Sequence, residues 1–126
     1  MQAILLVAFG GAAGSLARYW MTLVAARLVG ETFPWGTLAI NVIGSFVIGV
    51  FAALTGGDGV FAGNMSLRLL VMVGICGGFT TFSSFSLQTF MLLREGAYVW
   101  AGAYVMGSVL LCLVGTAAGM AAFTRG

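Results

Sequence analysis

Polar side chains recur at helical spacing in an otherwise apolar chain. Thr37, Asn41 and Ser45 stand at i, i+4 and i+8, a spacing that lines one face of a helix. Tyr104, Ser108, Cys112 and Thr116 repeat the device, again four apart. Between the two rows lies GGFTTFSSFS, residues 77–86, with paired glycines, adjacent threonines and three serines. Hydroxyls and amides in such rows have two uses in an apolar surrounding. They bond one helix to another, or they supply the hydrogen bonds that a dehydrating anion gives up. Phe79, Phe82 and Phe85 recur every three residues through the same segment. They pack, or they turn the positive edge of the ring toward an anion. Arg18 is the charge that falls within an apolar run. It reads as a snorkelling side chain near a helix end or as an anion-attracting or structural group in a wet vestibule.

The charge inventory narrows the chemistry. Of 126 residues 6% are charged and 61% hydrophobic, with a mean hydropathy of +1.12. Soluble domains carry roughly 25% charged residues, so lipid is the solvent here. The net charge of +2 comes from five arginines against three acids, too little for a nucleic-acid footprint. Histidine and lysine are absent from the chain, which excludes imidazole metal sites and Schiff-base chemistry. Glu31, Asp58 and Glu95 fall outside the apolar runs. There is thus no carboxylate ring for cations and no carboxylate for a proton relay. With no paired acids, no histidine and no base beside a serine or cysteine, an enzyme is the least favoured reading. Cys76 and Cys112 lie within apolar runs and read as two buried thiols, the alternative being a disulfide.

The elements that must position these residues are four membrane helices. Spanning the hydrocarbon takes about 20 apolar residues, and four such segments run over about 3–27, 36–55, 67–93 and 97–123. MQAILLVAFGG lacks a basic n-region and reads as a retained first span. Pro34 suits the first turn of the second helix. The connection TGGDGVFAGN, residues 55–64, is turn-like, and no soluble domain remains, so residues 1–126 form one membrane unit. Glycine and hydroxyl residues weaken the helical ladder, and the third span is expected to break near residues 77–80. Non-helical backbone survives at membrane depth only when buried in protein or lining a wet cavity, which makes the break a candidate site. Glycine pairs at Gly10/Gly14, Gly74/Gly78 and Gly115/Gly119 permit close helix contacts. Arg27 and Arg94 fall at one side of the membrane, Arg68 and Arg125 at the other. The positive-inside bias is therefore nil, and insertion in both orientations, with antiparallel pairing, follows as a hypothesis. Trp35 and Trp100 near helix ends fit interfacial anchors.

Taken together, GGAAGSLARYW (10–20), WGTLAINVIGSFVIG (35–49) and GICGGFTTFSSFS (74–86), with Tyr104 and Ser108 on the fourth helix, resemble the CrcB/Fluc fluoride channels of bacteria over essentially the whole chain. The resemblance implies an antiparallel dual-topology homodimer in the cytoplasmic (inner) membrane. It implies two fluoride pathways and a structural, non-transported Na+ at the dimer centre. Backbone carbonyls of Gly77 and Thr80 would hold the sodium. Asn41, Phe82 and Phe85 would face the fluoride path, with Tyr104 and Ser108 as its polar track and Ser83, Ser84 and Thr37 beside it. The implied activity is passive, fluoride-selective export. A small dual-topology multidrug/proton antiporter is the alternative, and a non-conducting structural or lytic membrane subunit a further rival.

Overall fold

A computed structural model describes residues 1–124; Arg125, counted above in the charge balance, lies outside them. The described residues are helical, without strands, and four helices are long and apolar enough to cross a membrane. They are α1 (Gln2–Val29), α2 (Trp35–Thr55), α3 (Met65–Arg94) and α4 (Tyr98–Phe123). Each lies within about two residues of the expected span. The chain is a multi-pass membrane protein.

The turns follow from local chemistry. Pro34 stands just ahead of α2 rather than inside its first turn, and its carbonyl accepts the Leu38 amide at 3.2 Å. Gly30 and Gly96, each with φ of 76°, end α1 and α3 in the left-handed region that other residues avoid. Asn64 caps α3 by accepting the Leu67 amide at 2.9 Å.

α3 is built in two limbs. The first opens with Met65–Leu67, widens into π-helical turns over Arg68–Cys76 and tightens again over Gly77–Phe79. The second runs from Phe82 to Arg94. Thr80 and Thr81 between them are extended, with ψ of 157° and 114°. The break expected near residues 77–80 therefore falls at its downstream edge, and Gly77 itself is helical, with φ −61° and ψ −39°. Local flexibility of the glycines did not decide the position; a side chain on α2 did, as described below. The π-helical stretch carries no signal in the sequence. Such turns are rare and gather at functional sites.

Close packing fixes the limbs against their neighbours. α1 lies on the first limb of α3, and α2 lies on α4. At the first contact the backbones of Gly10 and Gly74 meet, and Gly14 sits over the carbonyl of Ile75. At the second, Gly49 sits over the Thr116 carbonyl and Gly119 over that of Phe46. Small residues let membrane helices approach at backbone distance. A Cβ on Gly14 would collide with Ile75 O and lie 2.9 Å from the Phe79 amide nitrogen, both backbone atoms that have nowhere to move. Gly14→Ala is expected to cost about 1–3 kcal/mol, the range for overpacking, read as a lower unfolding temperature in detergent. Gly11→Ala, with nothing within 4 Å of its new carbon, is the matched control and is expected to leave that temperature unchanged or slightly raised.

Candidate functional site

Asn41 makes the break. Its amide and carbonyl form a reciprocal pair with Thr81, Asn41 Oδ1 accepting the Thr81 amide at 2.8 Å and Nδ2 donating to the Thr81 carbonyl at 3.1 Å. The Thr81 amide would otherwise close the helical turn onto Gly77. Three residues later the Ser84 amide, which would close onto Thr80, donates instead to Thr81 Oγ1 at 3.2 Å, so that Thr81 starts the second limb as its N-cap. The carbonyls of Gly77 and Thr80 are thereby both left outside the helical ladder. That of Gly78 is recruited by α1: Arg18 Nε donates to it at 3.1 Å, with Ser15 Oγ at 3.5 Å. Arg18 thus ties α1 to the break. Its half-buried side chain lies against α3 rather than free in the lipid.

An open groove of about 380 Å³ runs along the break between α2, α3 and α4. Asn41, Phe82, Phe85 and Ser108 line it, as do Gly77 and Thr80, with Ser45 and Cys112 continuing the two polar rows. Asn41 spends its oxygen and one N–H on Thr81, so one N–H remains for the groove. Ser108 is 6% exposed, and its hydroxyl finds no partner among the described residues. A buried hydroxyl without a partner costs about 1–3 kcal/mol, which a bound acceptor would recover. The rings of Phe82 and Phe85 stand 5.4 Å apart at 50°, and Phe85 continues to Tyr104 at 5.1 Å. Phe82 is 79% exposed, an aromatic wall with nothing on its outer side within one chain.

Not every residue singled out by spacing meets the groove. Thr37 and Tyr104 sit behind it, joined through Gln88: Tyr104 OH donates to Gln88 Oε1 at 2.7 Å, and Gln88 Nε2 donates to Thr37 Oγ1 at 2.9 Å. Gln88 escaped the sequence reading. Its signal was an amide within the apolar run SLQTFMLL, on the face of α3 shared with Ser84. Ser83 is exposed beside Thr81, its Oγ 3.4 Å from Thr81 Oγ1, and Ser84 contributes its amide to the cap; neither lines the groove. Phe79 packs toward α2 at Gly44. Both cysteines are free thiols.

Electrostatically the groove is lined by neutral residues, donors such as Asn41 and Ser108 standing beside the backbone of Gly77 and Thr80. Glu31, Asp58 and Glu95 lie outside the four spans, and no group of three or more His, Cys, Asp or Glu gathers among the described residues. A proton-coupled exchanger needs a titratable group at membrane depth, and none of the acids is placed for it.

Comparison with known proteins agrees with this chemistry. Residues 5–120 match the family model described as CrcB-like protein, Camphor Resistance. A protein of Rhodospirillum rubrum named fluoride-specific ion channel FluC is 56% identical over 111 residues, covering 88% of this chain and 86% of that protein. One of the same name from Opitutus terrae is 54% identical over 90% of this chain and 86% of its own. Another, from Paramagnetospirillum magneticum, is 53% identical over 94% and 93% respectively.

Proposed function

This chain belongs to the CrcB-like, camphor-resistance family, and on that premise we propose that it conducts fluoride passively and selectively out of the bacterial cytoplasm through the cytoplasmic membrane. The observation that carries the reading is the groove: Asn41, Ser108 and the Phe82–Phe85 pair meet around one open space, with an orphaned hydroxyl in it. The relatives named above bear the name of a channel, and no enzymatic chemistry is assigned to this chain.

Fluoride is small and strongly hydrated, so it enters a narrow path only where water is replaced. The free N–H of Asn41 and the Ser108 hydroxyl donate to the ion, and the phenyl rings offer their positive edges. Thr37, Gln88 and Tyr104 hold the second limb so that Phe85 keeps its place. Several weak neutral donors in series let the ion leave as readily as it binds. A path too narrow for a hydrated chloride supplies the selectivity. No step requires a proton or a covalent bond.

The pathway needs a second subunit. A polar groove with unwound backbone is not stable against lipid, and Phe82 presents its open face outward. An antiparallel copy, allowed by the balanced arginines, closes each of two grooves and brings the two breaks together. The carbonyls of Gly77 and Thr80 fit a hard cation such as Na+, which prefers oxygen ligands. Both are off the helical ladder because their donors are diverted to Asn41 and to Thr81 Oγ1. Sodium held by these carbonyls would supply a fixed positive charge and a link between subunits.

The test is efflux from liposomes containing the purified protein, with fluoride and chloride compared at equal gradients and the membrane potential clamped by an ionophore. Fluoride release with little chloride release is expected. Equal release of both anions overturns the selectivity, and release of neither overturns the channel.

A further inference from the structure

The groove is lined by sulfur as well as by oxygen, nitrogen and ring edges. Met72, Cys76 and Cys112 all contribute to its walls, two from the first limb of α3 and one from α4. Both cysteines of the chain therefore face one space, and both are free. They differ in access. Cys76 is 3% exposed, whereas Cys112 is half-buried. Cys112 also lies one helical turn beyond Ser108 on the same face of α4, and both line the groove. The Ser108 hydroxyl is buried without a partner among the described residues, so an unsatisfied oxygen lies one turn from the less buried of the two cysteines.

We propose that Cys112 makes the groove a binding site for soft, thiophilic monovalent cations such as Ag+, and that such an ion blocks the conduction assigned above. Thiolate and thioether sulfur select soft metals, while hard cations prefer carbonyl and carboxylate oxygen. This site is thus distinct in chemistry from the carbonyls of Gly77 and Thr80. Binding replaces the S–H bond of Cys112 by an S–Ag bond and releases the proton to water. Coordination drives the deprotonation, so the thiol need not be ionised beforehand. Ser108 Oγ is the neighbouring oxygen, and a metal ion here occupies space that fluoride must cross. The blocking effect rests on the channel reading; the binding itself does not.

Two readouts separate these claims. In the first, liposomes in chloride-free nitrate buffer receive silver nitrate, and each variant's fluoride efflux is compared with its own silver-free rate. Wild type and Cys76→Ser are expected to lose at least about tenfold in rate at low micromolar silver, and Cys112→Ser to require at least about tenfold more silver for the same loss. In the second, purified protein in detergent is alkylated with N-ethylmaleimide, with and without prior silver, and the modified peptides are identified by mass. Alkylation at Cys112 that silver suppresses is expected. A Cys112→Ser channel as sensitive as wild type, or protection conferred by Cys76→Ser or Met72→Leu instead, overturns the site. So does a Cys112 that is unreactive or whose labelling silver leaves unchanged. If no variant moves fluoride, the channel reading fails, and the alkylation result still decides whether the thiol site exists.

Discussion

Asn41→Leu is expected to remove both fluoride conduction and a large share of the stability. The substitution keeps the volume roughly but deletes the two hydrogen bonds with which Asn41 holds Thr81 at 2.8 and 3.1 Å. Thr81 is extended, and in that conformation the substitution strands its N–H and C=O at membrane depth. An unsatisfied buried polar group costs about 1–3 kcal/mol, and two of them about 2–6 kcal/mol. The chain has one local escape, which is to let the Thr81 amide return to Gly77 and run α3 on as a continuous helix. That would withdraw the Gly77 carbonyl from any cation and turn Phe82 away from the groove. Either outcome closes the path. The measurement is thermal unfolding in detergent together with liposome efflux, with at least about a hundredfold loss of rate expected. Asn41→Asp separates the roles: it keeps the acceptor for the Thr81 amide and recovers part of the stability, but its charge repels the anion and conduction stays low. A leucine variant with wild-type unfolding and efflux would remove Asn41 from the explanation altogether.

The same pair shows what was legible in the sequence and what was not. Spans were legible because hydrophobic length is a local property: four apolar runs gave four helices within about two residues at each end. The existence of the break was legible for a similar reason, since glycine and hydroxyl residues weaken any helix. Its position was not, because Gly77 and Gly78 are permitted to be helical and are. The deciding contact comes from Asn41, forty residues away in the chain. Such a capture has no local signature. The polar row of α2 illustrates the point further. Spacing alone places Thr37, Asn41 and Ser45 on one face, but α3 changes character as it passes along that face. Thr37 meets Gln88 on the second limb, Asn41 meets the break, and Thr55 at the far end meets Arg68 and Met72 on the first limb. A single stripe thus serves three different environments. Gln88 went unread because its partners, Thr37 and Tyr104, are on two other helices, and no spacing along α3 points to them.

Phe82→Ile is expected to leave folding intact and to lower fluoride flux by about ten- to a hundredfold. The two expectations have separate causes. Within one chain Phe82 is 79% exposed, and its neighbour is the Phe85 ring at 5.4 Å, so little intramolecular packing depends on it. Isoleucine is smaller but apolar and leaves an adequate surface for a second subunit to cover. What disappears is the ring edge, the only feature of a phenyl group that favours an anion. Hydrogen bonds to charged groups contribute about 1.5–3 kcal/mol; with the ring edge taken as a contact of that order and each 1.4 kcal/mol a factor of ten, the expected range follows. Phe85→Ile is the informative contrast. Phe85 also packs against Tyr104 at 5.1 Å and against the buried cluster of Leu92, Ala101 and Tyr104, so its loss is expected to reduce the unfolding temperature as well as the flux. Size-exclusion profiles, unfolding temperature and liposome efflux distinguish the two substitutions. Equal destabilisation by both would mean that Phe82 acts in packing, across the subunit interface. Wild-type flux in a folded Phe82→Ile protein would show that the ring edge contributes nothing to conduction, and the groove would then work through Asn41 and Ser108 alone.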